Sequence, residues 1–273
     1  MKTLEKKYAI KVCDKTRIKD EERESMRSEV AILSILHHPN VLAMREVFET
    51  YDRLYIVTQL FEYGDLHTRM KNLKRPLSEA EAKLLIWRLI QGVMYLHSFG
   101  VVHRDIKPEN LLMVNAEDNT NIVLSDFGLS KFVAPKEEMK MACGTISYVG
   151  KCCCEIPSHS PAPEVLRLTG YNKAADYWSV GVILYLVLSL QLPFHSLSAK
   201  ETVRLTLNSD ISFKETLWTS ISSQAKSLIE GLLRKDPKLR IIEHEALNHP
   251  WFDDIREEMD KIHAALNPDQ RLI

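Results

Sequence analysis

Apolar and polar positions recur along this chain with two periods, and the change between them divides it. Tyr8 to Val12 is a short apolar run that predicts a strand. From Asp20 to Leu36, Met26, Val30 and Leu33 recur at helical spacing on a heavily charged segment, with Ile32 and Leu36 alongside, which predicts an amphipathic helix. His37-His38-Pro39-Asn40 stops it. Two β-rich runs follow, Val41 to Phe48 and Leu54 to Leu60, around the turn-like Glu49-Thr50-Tyr51-Asp52. After Gly64 helical spacing dominates. Ser78-Glu79-Ala80-Glu81 reads as a capping box for a helix that runs to about Phe99 and ends at Gly100. Two short β-like segments, Leu111–Val114 and Ile122–Leu124, precede helices that resume at about Ala174 and continue to the end. The expected fold class is α+β, with a small β-rich amino-terminal lobe and a larger helical carboxy-terminal lobe. No internal repeat is visible.

Composition narrows the class. The longest apolar stretch, Val180 to Leu192, is broken by Gly181, Ser189 and Gln191. It is too short and mixed to span a bilayer and reads as a buried helix. Acids and bases nearly cancel, at net charge −1, so neither nucleic acid nor membrane is an expected partner. The segment Met1 to Val12 lacks the apolar core of a signal peptide. Five unevenly spaced cysteines without such a signal predict reduced thiols inside a cell. The expectation is a cytoplasmic monomer, with nuclear access open to it.

The candidate chemistry lies at the junction of the two patterns. His103-Arg104-Asp105-Ile106-Lys107-Pro108-Glu109-Asn110 places Asp, Lys and Asn within six residues, just after a helix, and Asp126-Phe127-Gly128 follows. Upstream, Lys11 sits on a strand and Glu29 on the next helix. Two carboxylates and an amide can hold Mg²⁺ and orient a hydroxyl, while two lysines can neutralise phosphate oxygens. Phosphoryl transfer needs this assortment, because its catalysis is mainly positioning and charge stabilisation.

In order and spacing these motifs resemble the eukaryotic protein kinase family, from about Tyr8 to Phe252. The resemblance implies a bilobal fold: a truncated amino-terminal lobe over residues 1–62, a carboxy-terminal lobe over 63–252 and a tail over 253–273. It also implies roles. Lys11 would hold ATP phosphates, with Glu29 as its ion-pair partner. Asp105 would accept the substrate hydroxyl's proton, and Lys107 would steady the transferred phosphoryl, as in serine/threonine kinases. Asn110 and Asp126 would bind Mg²⁺. The linker Gln59 to Gly64, with Phe61 within it, would bind adenine through its backbone, with Thr58 at the gatekeeper position and Ala9 and Leu112 completing the nucleotide site. His103 and Phe127, with Leu33 and Met44, match an apolar stack linking the lobes; plain core packing is compatible with it. Asp176 matches a buried Asp under the catalytic loop. Glu164 and Arg240 match a buried ion pair.

Cys143-Gly144-Thr145, Tyr177-Trp178-Ser179-Val180-Gly181, Leu192-Pro193-Phe194 and His249-Pro250-Trp251-Phe252 are similar to the calcium/calmodulin-dependent kinase group. In its relatives, acids at the positions of Asp65 and Glu109 bind an arginine upstream of the phosphosite, so Ser/Thr-bearing protein substrates with such an arginine are expected. Asp65 binding ribose alone is the other reading.

Two departures stand out. The family's glycine-rich loop lies upstream of the strand lysine, yet the first glycine here is Gly64 and ten residues precede Lys11. The expectation is a sequence that starts late, at an internal Met; the alternative is a nucleotide-impaired, pseudokinase-like interaction module. Second, Tyr148-Val149 should run into Ala162-Pro163-Glu164, but residues 150–161 intervene, with Cys152, Cys153 and Cys154 adjacent. Zinc sites space their cysteines more widely, and insertions favour loop tips. Gly150-Lys151 can encode an intron donor and Pro161-Ala162 an acceptor, whose removal restores Tyr-Val-Ala-Pro-Glu in frame. The reading is a translated intron, without function, forming a disordered bulge. Met141 stands where relatives carry a phosphorylatable Thr, near Glu137 and Glu138, so the usual switch is expected to be absent. Thr145 would contact Asp105 and Lys107, and Arg104 would pair with an acid. The tail after Phe252 is acidic at first and short, unlike a basic amphipathic calmodulin target.

Overall fold

The smaller lobe is organised by one buried strand. In the computed structural model, which describes residues 7–16, 19–133, 160–170 and 172–266, β1 (Tyr8–Asp14), β2 (Met44–Glu49) and β3 (Arg53–Gln59) form an antiparallel sheet in the order β1-β3-β2. β3 lies in the middle and buries Leu54, Ile56 and Val57. The helix α1 (Asp20–Ile35) follows the expected periodicity, with Ile32 and Leu33 buried and Met26 and Val30 packed beside them. The expected strand at Val41 begins three residues later. Val41 is buried and bridges Leu124 of the other lobe, and Asn40 Nδ2 donates to the Ile122 carbonyl at 2.9 Å. Contacts between the lobes, not sheet pairing, set the path of this segment.

The larger lobe is mainly helical: α2 (Leu66–Leu73), α3 (Glu79–Ser98), α4 (Pro163–Leu166), α5 (Lys173–Ser189), α6 (Ala199–Asn208), α7 (Ser223–Leu232), α8 (Glu243–Leu247) and α9 (Arg256–Leu266). Two small ladders lie among them, β4 (Val101–Val102) with β7 (Lys131–Phe132) and β5 (Leu111–Met113) with β6 (Ile122–Leu124). The capping box is present: Ser78 Oγ accepts from the Glu81 amide at 3.2 Å, and Glu81 returns the bond to the Ser78 amide at 2.8 Å. Gly100, at φ +70°, lets the chain leave α3 in the left-handed region.

The helix α5 is apolar all round because it is enclosed on all sides, which accounts for the long apolar run of the sequence. No helix among the described residues is long and apolar enough to cross a membrane. α5 also approaches α7 closely at Gly181. A Cβ there would lie 2.8 Å from Leu232 Cβ and 2.9 Å from Leu233 Cδ2. Gly181→Ala must push the helices apart and should destabilise the protein by about 1–3 kcal/mol. A urea midpoint unchanged in the variant would show that the contact relaxes freely.

Expectations placed on Glu137, Glu138, Met141, Cys143, Thr145, Tyr148, Val149 and the cysteine trio lie outside the described residues. The end of residues 150–161 does not. Ser160 is buried, its carbonyl accepts from Trp178 Nε1 at 2.8 Å, and its hydroxyl lies 3.2 Å from Thr206 Oγ1. This much of the expected bulge is seated in the core. The buried indole of Trp178, fixed in α5, takes its acceptor from this residue.

Candidate active site

The two lobes meet along a line of charged side chains. Lys11 Nζ, on β1, reaches both carboxylate oxygens of Glu29 on α1, at 2.7 and 2.8 Å. Burial would lower the Lys11 pKa, but the bond and charge of Glu29, with Asp126 beyond, hold it raised. Gly128 stands between the two acids: a Cβ on it would lie 3.3 Å from Asp126 Oδ1 and 4.0 Å from Glu29 Oε2. The structure thus gathers Lys11, Glu29 and Asp126, which are far apart in sequence.

Asp105, Lys107 and Asn110 form the second group. Lys107 Nζ donates to Asp105 Oδ2 at 2.8 Å. Asn110 Nδ2 donates to the same carboxylate at 3.0 Å and to the Asp105 carbonyl at 2.8 Å. The amide's nitrogen is therefore directed to Asp105, which leaves its oxygen available to a cation. The Ser125 amide donates to the Asn110 carbonyl at 2.8 Å, so Asn110 and Asp126 are tied together through one residue. Two side-chain oxygens of this kind fit Mg²⁺, a hard cation that takes few protein ligands beside phosphate oxygens.

His103 couples the two groups. Its Nε2 lies 3.0 Å from the Ser125 carbonyl, and its Nδ1 accepts from the Asp105 amide at 3.3 Å. Burial lowers its pKa despite nearby carboxylates. A neutral ring protonated on Nε2 satisfies both bonds. Its ring packs against Phe127 in a T-shaped arrangement, with centroids 5.1 Å apart, and Leu33 is buried while Met44 packs against the same core.

Arg104 and Asp126 both have left-handed backbones, at φ +68° and +63°. Such a conformation costs a non-glycine residue about 1–2 kcal/mol, so something must hold it. For Arg104 the holder is Asp176, fully buried, which accepts the His103 and Arg104 amides at 2.9 Å each and lies 2.8 Å from His97 Nε2. Burial alone would raise the Asp176 pKa, but His97, with the Arg104 amide, brings it below the usual value. Arg104 is itself buried, and its Nε donates to the Leu129 carbonyl at 2.6 Å. Glu164 and Arg240 form a buried two-bond pair at 2.6 and 2.9 Å.

The remaining expected residues lie on β1, on β3 and the linker after it, and on β5 and the segment that leads into it. Ala9 lies opposite Thr58 in the β1–β3 register. Gln59 and Phe61 line a cavity of about 320 Å³ with Trp87, Gln91 and Met259. Leu112, on β5, bridges Asp65. Asp65 caps α2, with Oδ1 accepting the Thr68 amide at 2.7 Å, so half of this expected binding acid is engaged locally. Glu109 Oε1 lies 3.4 Å from His67 Nδ1, while its Oε2 is buried without a partner among the described residues.

Sequence reasoning missed His97, His67 and Ser160. His97, interior to α3 and facing the core, carries no motif signal, and only the fold shows its partner.

The site's class follows from a lysine–glutamate pair facing a catalytic-type Asp, Lys and Asn across two lobes: it is that of a protein kinase. The family described as "Protein kinase domain" matches residues 1–252. The chain is 39% identical over 251 residues to myosin light chain kinase A of Dictyostelium discoideum, covering 92% of this chain and 81% of the relative. It is 36% identical over 255 residues to a calcium/calmodulin-dependent protein kinase type I of Schizosaccharomyces pombe, covering 92% and 72%. The chain belongs to the protein kinase family, among its serine/threonine kinases of the calcium/calmodulin-dependent type.

Proposed function

We propose that this chain transfers the γ-phosphoryl group of ATP to serine and threonine hydroxyls of proteins that carry an arginine upstream of the acceptor. The observation that supports transfer is the joined arrangement of Asp105, Lys107 and Asn110 with Asp126, across from Lys11 and Glu29. Lys11, held by Glu29, would neutralise the α- and β-phosphates. Asn110 and Asp126 would hold Mg²⁺, which would supply positive charge to neutralise the phosphates. The Asp105 carboxylate would accept the hydroxyl proton as the acceptor oxygen bonds to the γ-phosphorus and the bond to ADP breaks. Lys107, already 2.8 Å from that carboxylate, would meet the transferred phosphoryl's charge. Its raised pKa keeps it cationic: burial opposes this, but Asp105, Glu109 and Asp126 prevail.

The arginine preference rests on Glu109. The Glu109 side chain is about one-third exposed, so its outer oxygen, Oε1, is the one a guanidinium would meet. Asp65, half engaged as a cap, would contribute its remaining oxygen to ribose or to the same arginine.

Nucleotide binding is tested by thermal shift with Mg-ATP on the chain and on Lys11→Met, and transfer by labelled ATP with a serine peptide. The parent should be stabilised by nucleotide and the variant much less. Binding without transfer, or neither, would favour a non-catalytic interaction module.

A further inference from the structure

We infer that α9 braces the linker between the lobes, with Met259 as the positioning residue, and that this brace strengthens nucleotide binding. The inference rests on the reading of Gln59 to Gly64 as the adenine-binding linker. α9 is rooted on α3. Just before it, Trp251 and Phe252 are buried, and the Phe252 ring lies against Trp87 of α3 with centroids 5.2 Å apart. Lys83 Nζ, also on α3, donates to both carboxylate oxygens of Asp254 at 2.7 Å. From this root Ile255, Met259 and Ile262 form an apolar line at helical spacing. Ile255 packs against the core, Met259 is 4% exposed, and Met259 and Ile262 both line the cavity of about 320 Å³. Gln59 and Phe61 of the linker line the same cavity.

The linker needs such support. Gln59 is held by its pairing with Tyr8, and the Gly64 carbonyl accepts from the Met113 amide at 2.8 Å. Between these points Phe61, Glu62 and Tyr63 make no backbone hydrogen bond among the described residues. Vacant donors and acceptors suit a backbone that binds adenine, but they leave side-chain packing to fix its path. Met259 is the buried member of α9 at that cavity, and its flexible thioether chain suits an irregular gap. Truncating it enlarges the cavity and lets the linker shift. The nucleotide must then order the linker as it binds, which weakens affinity. The groups that carry the transfer step are untouched, so the effect falls on Kd and KM for ATP and not on kcat. Couplings between linked sites start at about fivefold, and an effect of that size is expected.

Four measurements on the full chain test it: Mg-ATP affinity, KM and kcat with a serine peptide, thermal unfolding, and amide hydrogen exchange over Gln59 to Gly64. Met259→Ala should raise Kd and KM for Mg-ATP about fivefold at unchanged kcat and speed exchange across the linker. Met259→Leu should restore both. Ile262→Ala, at a side chain 40% exposed, should shift both the same way by less and decides the case if Met259→Ala does not fold. Ile255→Ala removes packing at the root of the helix, outside the cavity lining. It should lower the unfolding midpoint and leave linker exchange and KM as in the parent. If Ile255→Ala weakens nucleotide binding as much as Met259→Ala, α9 acts through stability alone and Met259 has no positioning role. If linker exchange in the cavity variants stays at the parent's rate, the brace is overturned whatever the nucleotide result. If exchange rises but the parent does not bind Mg-ATP, the brace stands, while the adenine reading fails and the gain in affinity with it.

Discussion

Arg240→Ala should lower the unfolding free energy by about 3–5 kcal/mol. Arg240 is 3% exposed and closes four bonds: two to Glu164 at 2.6 and 2.9 Å, one to the Ala174 carbonyl at 2.8 Å and one to the Arg234 carbonyl at 3.0 Å. Its guanidinium also lies over the Trp178 ring, 5.1 Å from the centroid. Truncation leaves the Glu164 carboxylate buried and unpaired, and the desolvation penalty of that charge, not the loss of the pair itself, dominates. Domains are stable by about 5–15 kcal/mol, so the variant should populate unfolded or aggregated chain at room temperature. Replacing both partners with apolar residues of similar volume should recover much of the loss, because no charge is then stranded. Urea midpoints at constant slope for single and double variants measure both claims. A single variant within about 0.5 kcal/mol of the parent would sink the assignment of this pair as a structural clasp.

The same clasp shows where sequence reading reaches. Glu164 and Arg240 could be paired from the family resemblance although 76 residues separate them, because both stand in motifs. Lys11, Glu29, Asp105, Asn110 and Asp126 were legible for the same reason, and α1 and α3 were legible from period and caps alone. The two-residue ladder β4–β7 was not, since two residues carry no periodicity. Nor was the start of β2: Val41 is apolar and β-branched, but its partner Leu124 lies in the other lobe. Glu79 was read only as part of a capping box. In the fold it also accepts from the Ser222 amide at 2.6 Å and Trp251 Nε1 at 2.9 Å, bonds spanning more than 140 residues. His97 belongs to the same class: a single polar residue acquires its partner, Asp176, from a neighbour that only folding delivers. Local pattern reports backbone preference, and motifs report chemistry that recurs; a contact outside both leaves no mark in one sequence.

Asp105→Asn is expected to reduce kcat by about 10²–10⁴-fold while leaving the thermal stability and Mg-ATP affinity near those of the parent. Asparagine keeps the shape and one acceptor oxygen, so it can retain the bonds from Lys107 Nζ at 2.8 Å and Asn110 Nδ2 at 3.0 Å in part. It cannot take up the hydroxyl proton. Of the nucleotide's proposed contacts, Lys11 and Asp126 lie in the other group and are untouched, and Asn110 keeps its 2.8 Å bond to the backbone carbonyl of residue 105. A contrasting variant separates chemistry from scaffolding. Asp176→Asn leaves the Asp105 carboxylate in place but weakens the support of the His103 and Arg104 amides, which hold Arg104 in its left-handed conformation. Its loss of activity should come with a lower unfolding midpoint, whereas that of Asp105→Asn should not. Labelled-phosphate transfer to a serine peptide, read beside thermal unfolding, distinguishes them. If Asp105→Asn loses stability as much as Asp176→Asn, Asp105 acts as part of the scaffold and the proton must go elsewhere. If it retains the parent's kcat, the proposed base is wrong. The expected split follows from the geometry: the Asp105 carboxylate belongs to a residue 9% exposed, and that of Asp176 is fully buried with every observed partner in the protein.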